Sequence, residues 1–343
     1  MARPALPAPA RYFPARSGKY EVTAALRPLG TPYGNGEADA RAFQLDARFA
    51  QYRENKLACR AERLPKYYGS QGYEAAVAAA VARFFVARLA LEYPDRFSVE
   101  AREGGASTLR CGLTGESLVF DEGMRLCGVY GDTVTPPYLD AFDALCCQVQ
   151  EDVAVIHAPP GGPDRLAAYH VCAPSHWSPE EKLGADFVSI HAPVPGIERV
   201  NRAAGTLVDA MVRRGPLVRF VWGIDTDGRL NRHPEPPPGV SLAAWQSPPF
   251  DPDARPPFFV RVERQVMWGL PEVDAALFLI RPYHITAQEL QPDERAQLHS
   301  AISSMPAESR DYKGIAPYAD ELLRWLEQRP TTATEPAAHR REA

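Results

Sequence analysis

The apolar positions of this chain recur with two different periods, and the change of period along the sequence divides it. Residues 71–92, QGYEAAVAAAVARFFVARLALE, space their apolar side chains by three and four in an alanine-rich background, which predicts a helix. Tyr93-Pro94-Asp95 ends it, because the residue before a proline is pushed out of helical geometry. Residues 37–64 show a similar spacing and predict an earlier helix that stops near Leu64-Pro65. Short apolar runs broken by turn residues fill 96–130 and predict a small meander, and 137–149 predicts a helix.

Beyond residue 150 the pattern becomes strand-like. Runs at 151–158 (EDVAVIHA), 165–173 (RLAAYHVCA), 187–191 (FVSIH) and 217–224 (LVRFVWGI) read as strands. FFVRVERQVMWGL (258–270) and DAALFLIRPYH (274–284) predict two long strands, and the Leu270-Pro271-Glu272 turn between them predicts an antiparallel pair. Helices are predicted at 197–213, 286–304 and 316–328, and Ser178-Pro179-Glu180-Glu181 has the form of a helix start. Helices first, then a mostly antiparallel sheet interleaved with helices, make the class α+β. Residues 1–36 read as a Pro- and Ala-rich arm, disordered or loosely draped. Residues 37–329 read as one domain, and 330–343 as a disordered tail.

Composition removes several function classes. A net charge of −5 and a pI near 6.0 point away from nucleic acid. No run of eighteen apolar residues predicts a membrane span, and the N-terminus lacks the apolar stretch of a secretory signal. The six cysteines form no C-x-x-C pair, so they read as reduced, buried thiols and a cytoplasmic location is expected. Neither G-x-G-x-x-G nor a P-loop is present, so no nucleotide is expected on this chain. The 34 prolines cluster at 232–238 and 247–257, which marks an extended excursion between strands, either a lid or a docking surface.

Candidate chemistry gathers at strand ends. His191 stands where VSIHAPVPG leaves its apolar run, and Pro193 and Pro195 fix the backbone beyond it. An imidazole there can ligate a metal, act as a base or hydrogen-bond within the core, the last being the commonest case. His157, His170, His176 and His284 compete, but no H-x-H or H-E-x-x-H spacing joins them. In RVERQ, Arg261, Glu263 and Gln265 share one strand face and Arg264 the other. Arg261 and Arg264 suit a bidentate grip on carboxylates, and Arg281 on the next strand can join them. Glu151 opens a buried strand, either as a corner residue or as an acid for a cationic amine. Lys182 and Lys313 are anion contacts or surface lysines. Cys172 is a rival metal ligand.

Taken in order and spacing, EDVAVI, VCAPSHWSPEEKLG, SIHAPVPG, RVERQ with ALFLIRPY, and SMPAESRDYKG resemble the haem-dependent oxidative N-demethylase alpha-subunit-like family over roughly residues 40–328. The resemblance implies a haem-b subunit with a PAS-like antiparallel sheet surrounded by helices. It implies NADPH- and O2-dependent removal of a methyl group from a small secondary amine such as dimethylamine, with release of formaldehyde. Electrons would come from a separate flavin (FMN) and [2Fe–2S] partner. It makes His191 the expected axial ligand, with Cys172 as rival, and Arg261, Arg264, Arg281 and Lys182 the expected contacts of the cofactor. Glu151 or Glu263 would meet the substrate. Where relatives read Thr or Ser and Leu after ERQ, and I-R-T-Y later, this chain has Val266, Met267 and Ile280-Arg281-Pro282-Tyr283, which leaves the substrate open. A haem- or ligand-binding PAS-like sensor and a haem-free interaction protein are the alternatives.

Overall fold

The computed structural model describes residues 5–132 and 134–328, so the expected tail at 330–343 lies outside the described residues. The class is α+β, built on two antiparallel sheets. The first strand, β1 (Arg27–Pro28), leads through a loosely coiled stretch to α1 (Phe49–Tyr67). That helix starts later than the apolar spacing predicted. Residues 42–46 are held by tertiary partners instead. The amides of Ala42 and Phe43 donate to Glu92 (2.7 and 3.1 Å), and those of Gln44 and Asp46 donate to Glu151 and Gln150 (2.8 Å each). Such bonds outweigh the few tenths of a kcal/mol per residue, in order of magnitude, that helix propensity offers.

β2 (Tyr68–Ser70) precedes α2 (Ala75–Glu92), the alanine-rich helix, which buries Val77, Val81, Phe85 and Leu89. The predicted meander is a four-stranded sheet, β3 (Phe97–Ala101), β4 (Ser107–Cys111), β5 (Ser117–Phe120) and β6 (Leu126–Tyr130). α3 (Ala141–Cys146) is short and is capped by Asp140, whose side chain accepts from the Asp143 amide at 2.9 Å. β7 (Asp152–His157) and β8 (Arg165–His170) follow as expected.

FVSIH is not a strand. It forms α4 (Phe187–His191), followed by α5 (Glu198–Asn201) and α6 (Ala204–Arg213). Ser178 leads into a 3-10 turn over Pro179–Lys182 without a side-chain cap. Then come β9 (Leu217–Asp225), the one-turn α7 (Leu242–Trp245), β10 (Phe259–Leu270) and β11 (Ala275–Thr286). α8 (Pro292–Ser303), α9 (Ala307–Tyr312) and α10 (Ala319–Glu327) close the described chain. No helix among the described residues is long and apolar enough to cross a membrane.

The main sheet runs β1-β9-β10-β11-β7-β8-β2, antiparallel throughout. Its register sets the functional geometry. Arg261 pairs with His284, Glu263 with Pro282 and Arg264 with Arg281, while Arg219 and Val221 of β9 stand beside Gln265 and Glu263. Side chains alternate across the sheet, so Arg219, Arg261, Glu263, Gln265 and His284 share one face and Arg264, Arg281 and Tyr283 the other. α4 and α6 cover part of the first face. Phe187 packs with Met267 and Ala276, and Ile190 with Ala154 and Tyr169.

The second face carries the larger cores, and the N-terminal arm closes over it. Tyr12 and Phe13 are buried at 3% and 5% exposure, and Tyr12 stacks against Phe220 and Tyr283 at 4.7 and 5.4 Å. Arg11 grips Glu294 of α8 with both terminal nitrogens at 2.5 Å. The arm is therefore packed rather than loosely draped. Burying two aromatic side chains stabilises by roughly 1.5–3 kcal/mol each, which offsets part of the cost of ordering this segment.

Candidate functional site

α4 is too short to persist alone, and two acids fix it. Asp186 caps its first turn by accepting from the Ser189 amide at 2.7 Å. Asp164, from the loop before β8, accepts from the Phe187 amide at 2.7 Å. The helix ends at His191, where Pro193 and Pro195 forbid continuation. His191 Nδ1 lies 2.7 Å from the Phe187 carbonyl oxygen. A carbonyl only accepts, so Nδ1 carries the proton and Nε2 keeps its lone pair. Among the described residues Nε2 has no hydrogen-bond partner, and the ring is half-buried against Phe187, with centroids 4.2 Å apart. Burial pushes its pKa below the ordinary value; the Phe187 bond opposes this and the charges of Arg219 and Lys182 add to it. This imidazole is neutral and has a free nitrogen.

The sheet face beside α4 is unusually open for central strands. Arg219, Val221, Gly223, Glu263 and His284 are only half-buried, and a Cβ built on Gly223 would meet nothing within 4 Å. The Glu263 carboxylate is held by donors on both oxygens, Ser175 Oγ at 2.5 Å and Gln265 Nε2 at 3.0 Å, with Arg261 4.0 Å away. Arg219 keeps its buried Nε without a partner. Burial lowers its pKa, against the attraction of Glu263. His284 is pushed down to about 3 by burial and by Arg261, and its Nε2 is buried and unpartnered. Together these groups give the half-open sheet face beside α4, hereafter the trough, one carboxylate, one under-bonded guanidinium and neutral imidazoles.

The residues singled out in the sequence divide between the two faces. His191, Lys182, Glu263 and Arg261 belong to the trough side, but Arg261 is spent on backbone. It donates to the carbonyls of Ala173 (2.6 Å), Leu230 (3.1 Å) and Arg229 (3.3 Å). Glu151, Arg264 and Arg281 lie on the arm side, away from His191. Arg264 donates to the Arg41 carbonyl at 2.7 Å. Arg281 pairs with Asp46 at 2.7 Å and lies 3.7 Å over the Tyr52 ring. Glu151 accepts from the Gln44 amide, and burial raises its pKa against the pull of Arg281. The expected joint grip of three arginines on one ligand is thus not assembled on the side of His191.

Cys172 is fully buried between β8 and α1, in contact with Cys59 and Tyr67. Its sulfur lies 3.8 Å from His170 Nδ1, and burial pushes its thiol pKa well up. A thiolate ligand needs the opposite environment. His170, with Cys147 and Asp143, forms a buried group whose carboxylate is already taken by Arg60 through two 2.8 Å bonds. Arg219 was passed over in the sequence. Its signal is present there, because it is the one charge in the apolar run LVRFVWGI.

A separate cleft of about 400 Å3 opens between α1 and the proline-rich excursion, lined by Asn55, Cys59, Glu62, Arg229, Asn231 and Trp245. It contains no imidazole, and the Cys59 sulfur accepts from Asn231 at 3.4 Å.

One comparison bears on the trough. The family described as "Haem-dependent oxidative N-demethylase, alpha subunit-like" matches residues 36–323. The chain belongs to that family. The matched span includes α4, the trough and the excursion, and its description names a dependence on haem. The donors on the trough side fit such a group. His191 Nε2 offers the neutral nitrogen that iron takes, and Arg219 offers unmet donor capacity for a carboxylate. Phe187 and Ile190 supply apolar surface beside the imidazole.

Proposed function

We propose that this chain is the haem-b subunit of an oxidative N-demethylase acting on a small secondary amine, with the cofactor held on a PAS-like sheet. The observation that carries the reading is the His191 imidazole: neutral, half-buried, its Nδ1 proton committed to the Phe187 carbonyl and its Nε2 unpartnered. Haem bound there would supply oxygen activation and oxidation of the N-methyl carbon.

The chain's own residues do the rest. The Phe187 carbonyl fixes the tautomer and ring plane of His191 and raises the basicity of Nε2. Arg219, with Lys182 also near His191, would hold the propionate carboxylates in place of Arg264 and Arg281. Glu263 is the acid available to a substrate ammonium. Ser175 and Gln265 each occupy one site on its oxygens, leaving lone pairs for an N–H donor. Glu151 has no such access, because residues 42–46 and Arg281 enclose it. The alpha-subunit-like family description supports partner subunits, and the resemblance implies that electrons come from NADPH through a separate flavin and iron–sulfur reductase.

The test is an absorption spectrum of purified, haem-supplemented protein, repeated as the ferrous-CO form and on His191→Ala. An imidazole-type Soret band that is lost in His191→Ala supports the assignment. A thiolate-type band, a colourless wild type, or an unchanged spectrum in the variant would remove it. Formaldehyde released from a methylamine in the presence of a reductase separates an enzyme from a sensor.

A further inference from the structure

Two groups of opposite charge stand side by side on the trough face without bonding to each other. Arg261 and Glu263 are alternate residues of β10, so their side chains leave the sheet on the same side. Arg261 Nε lies 4.0 Å from Glu263 Oε1, beyond hydrogen-bond reach. Closing that gap would break bonds that both already make. The terminal nitrogens of Arg261 are tied to the carbonyls of Ala173, Leu230 and Arg229, and Glu263 takes one bond from Ser175 and one from Gln265. Arg261 is 3% exposed, yet its Nε has no partner. A buried charged donor left unpaired is costly, and it marks a place where an acceptor belongs.

The sheet register leaves room beside it. Arg261 faces Gly223 of β9 on one side and His284 of β11 on the other, and directly opposite side chains share a face. A side chain at position 223 would project next to Arg261. Glycine has none, and a Cβ built there would meet nothing within 4 Å. Gly223 and Glu263 are half-buried, so this space opens onto the trough. On the other flank His284 Nε2 is buried without a partner. Cations outnumber acids at this end. Glu263 is the acid that answers Arg219, Arg261 and Lys313, the last with its Nζ on the Trp222 carbonyl at 2.6 Å.

A simple dialkylammonium ion satisfies Glu263 alone. It brings only N–H donors and offers Arg261 Nε no acceptor. A ligand with an ammonium and a carboxylate on neighbouring atoms satisfies both groups. In an α-amino acid these lie roughly 3 Å apart, set by standard N–Cα and Cα–C bonds. With hydrogen bonds of about 2.9 Å at each end, such a pair closes a ring of alternating charge across the 4.0 Å gap. We propose that the substrate of this site is an α-N-methyl amino acid, its ammonium on Glu263 and its carboxylate on Arg261 Nε in the space that Gly223 leaves. The methyl group rests on the demethylase reading; the pairing of ammonium with carboxylate does not.

The test is calorimetric titration of the full, haem-supplemented chain with N-methylglycine, dimethylamine and acetate. Arg261 is too deeply built in to replace, so the variant is Gly223→Val, which suits a strand and has room for its Cβ; circular dichroism checks its fold. N-methylglycine is expected to bind at least about tenfold more tightly than dimethylamine or acetate, and Gly223→Val to erase that advantage while changing dimethylamine binding by less than about twofold. Dimethylamine bound as tightly as N-methylglycine, undiminished N-methylglycine binding in a folded Gly223→Val, or no saturable binding of N-methylglycine overturns the proposal. Preferred binding of N-methylglycine without formaldehyde release in the presence of a reductase would sink the demethylase reading and leave the paired site standing. Formaldehyde from dimethylamine, with N-methylglycine neither bound nor turned over, would do the reverse.

Discussion

The two faces of the main sheet carry similar charged residues, drawn from alternate positions of the same strands, and use them differently. On the arm side, Arg264 and Arg281 find carbonyls of residues 39–42 and the Asp46 carboxylate supplied by the chain itself, although Arg281 Nε and Nη1 and Glu151 Oε2 stay buried without a hydrogen-bond partner. On the trough side, Arg219 keeps an unpartnered nitrogen, and Glu263 is held only by Ser175 and Gln265. Burying an ion is costly unless it is paired, and the enclosed Arg281–Asp46 pair makes the arm side structural. On the trough side the under-bonded groups of Arg219 and His284 belong to half-buried residues, where a ligand can complete the set.

The contrast can be broken by exchanging the roles. Arg281→Met is expected to cost about 3–5 kcal/mol, because Asp46 is then buried without its partner; urea unfolding measures it. A loss below 1 kcal/mol would mean that the arm side is not the structural one. His191→Ala, on a half-buried ring, should change stability by less than about 1 kcal/mol while abolishing haem retention, followed by the Soret band. Arg219→Leu should weaken haem retention roughly tenfold, about 1.4 kcal/mol, with the fold intact by circular dichroism.

The smallest effect concerns the arm. Burial pushes the Glu294 pKa up, but the hydrogen bonds from Arg11 and the Gln291 amide and the charges of Arg11 and Arg16 together outweigh it, and the net shift is downward. A depressed acid stabilises the fold above its unfolded pKa and loses that contribution as pH falls through the folded one. The tie should therefore loosen below about pH 4.3, by about 0.5 kcal/mol since Arg11 is largely exposed. Proteolysis of the first residues at falling pH reports it.

How much of this was legible in the sequence follows from where each partner lies. β10 and β11 could be read because twelve-residue strands repeat their alternation many times, and the same alternation placed Arg261, Glu263 and Gln265 together. α4 could not. Five residues carry too few periods to separate helix from strand, and one of its two fixing acids, Asp164, is remote in sequence. The destinations of Arg264 and Arg281 were equally hidden, since their acceptors come from a segment more than two hundred residues earlier. The late start of α1 has the same origin, for Glu92, Gln150 and Glu151 draw residues 42–46 out of the helix.

The N-terminal strap has a practical consequence for anyone trimming this protein. Similarity to the family begins at residue 36, yet Tyr12 and Phe13 plug the hydrophobic interior and Arg11 bolts them to α8. A version cut at the similarity boundary would expose Phe220 and Tyr283 to water and invite self-association, although every matched residue would still be present.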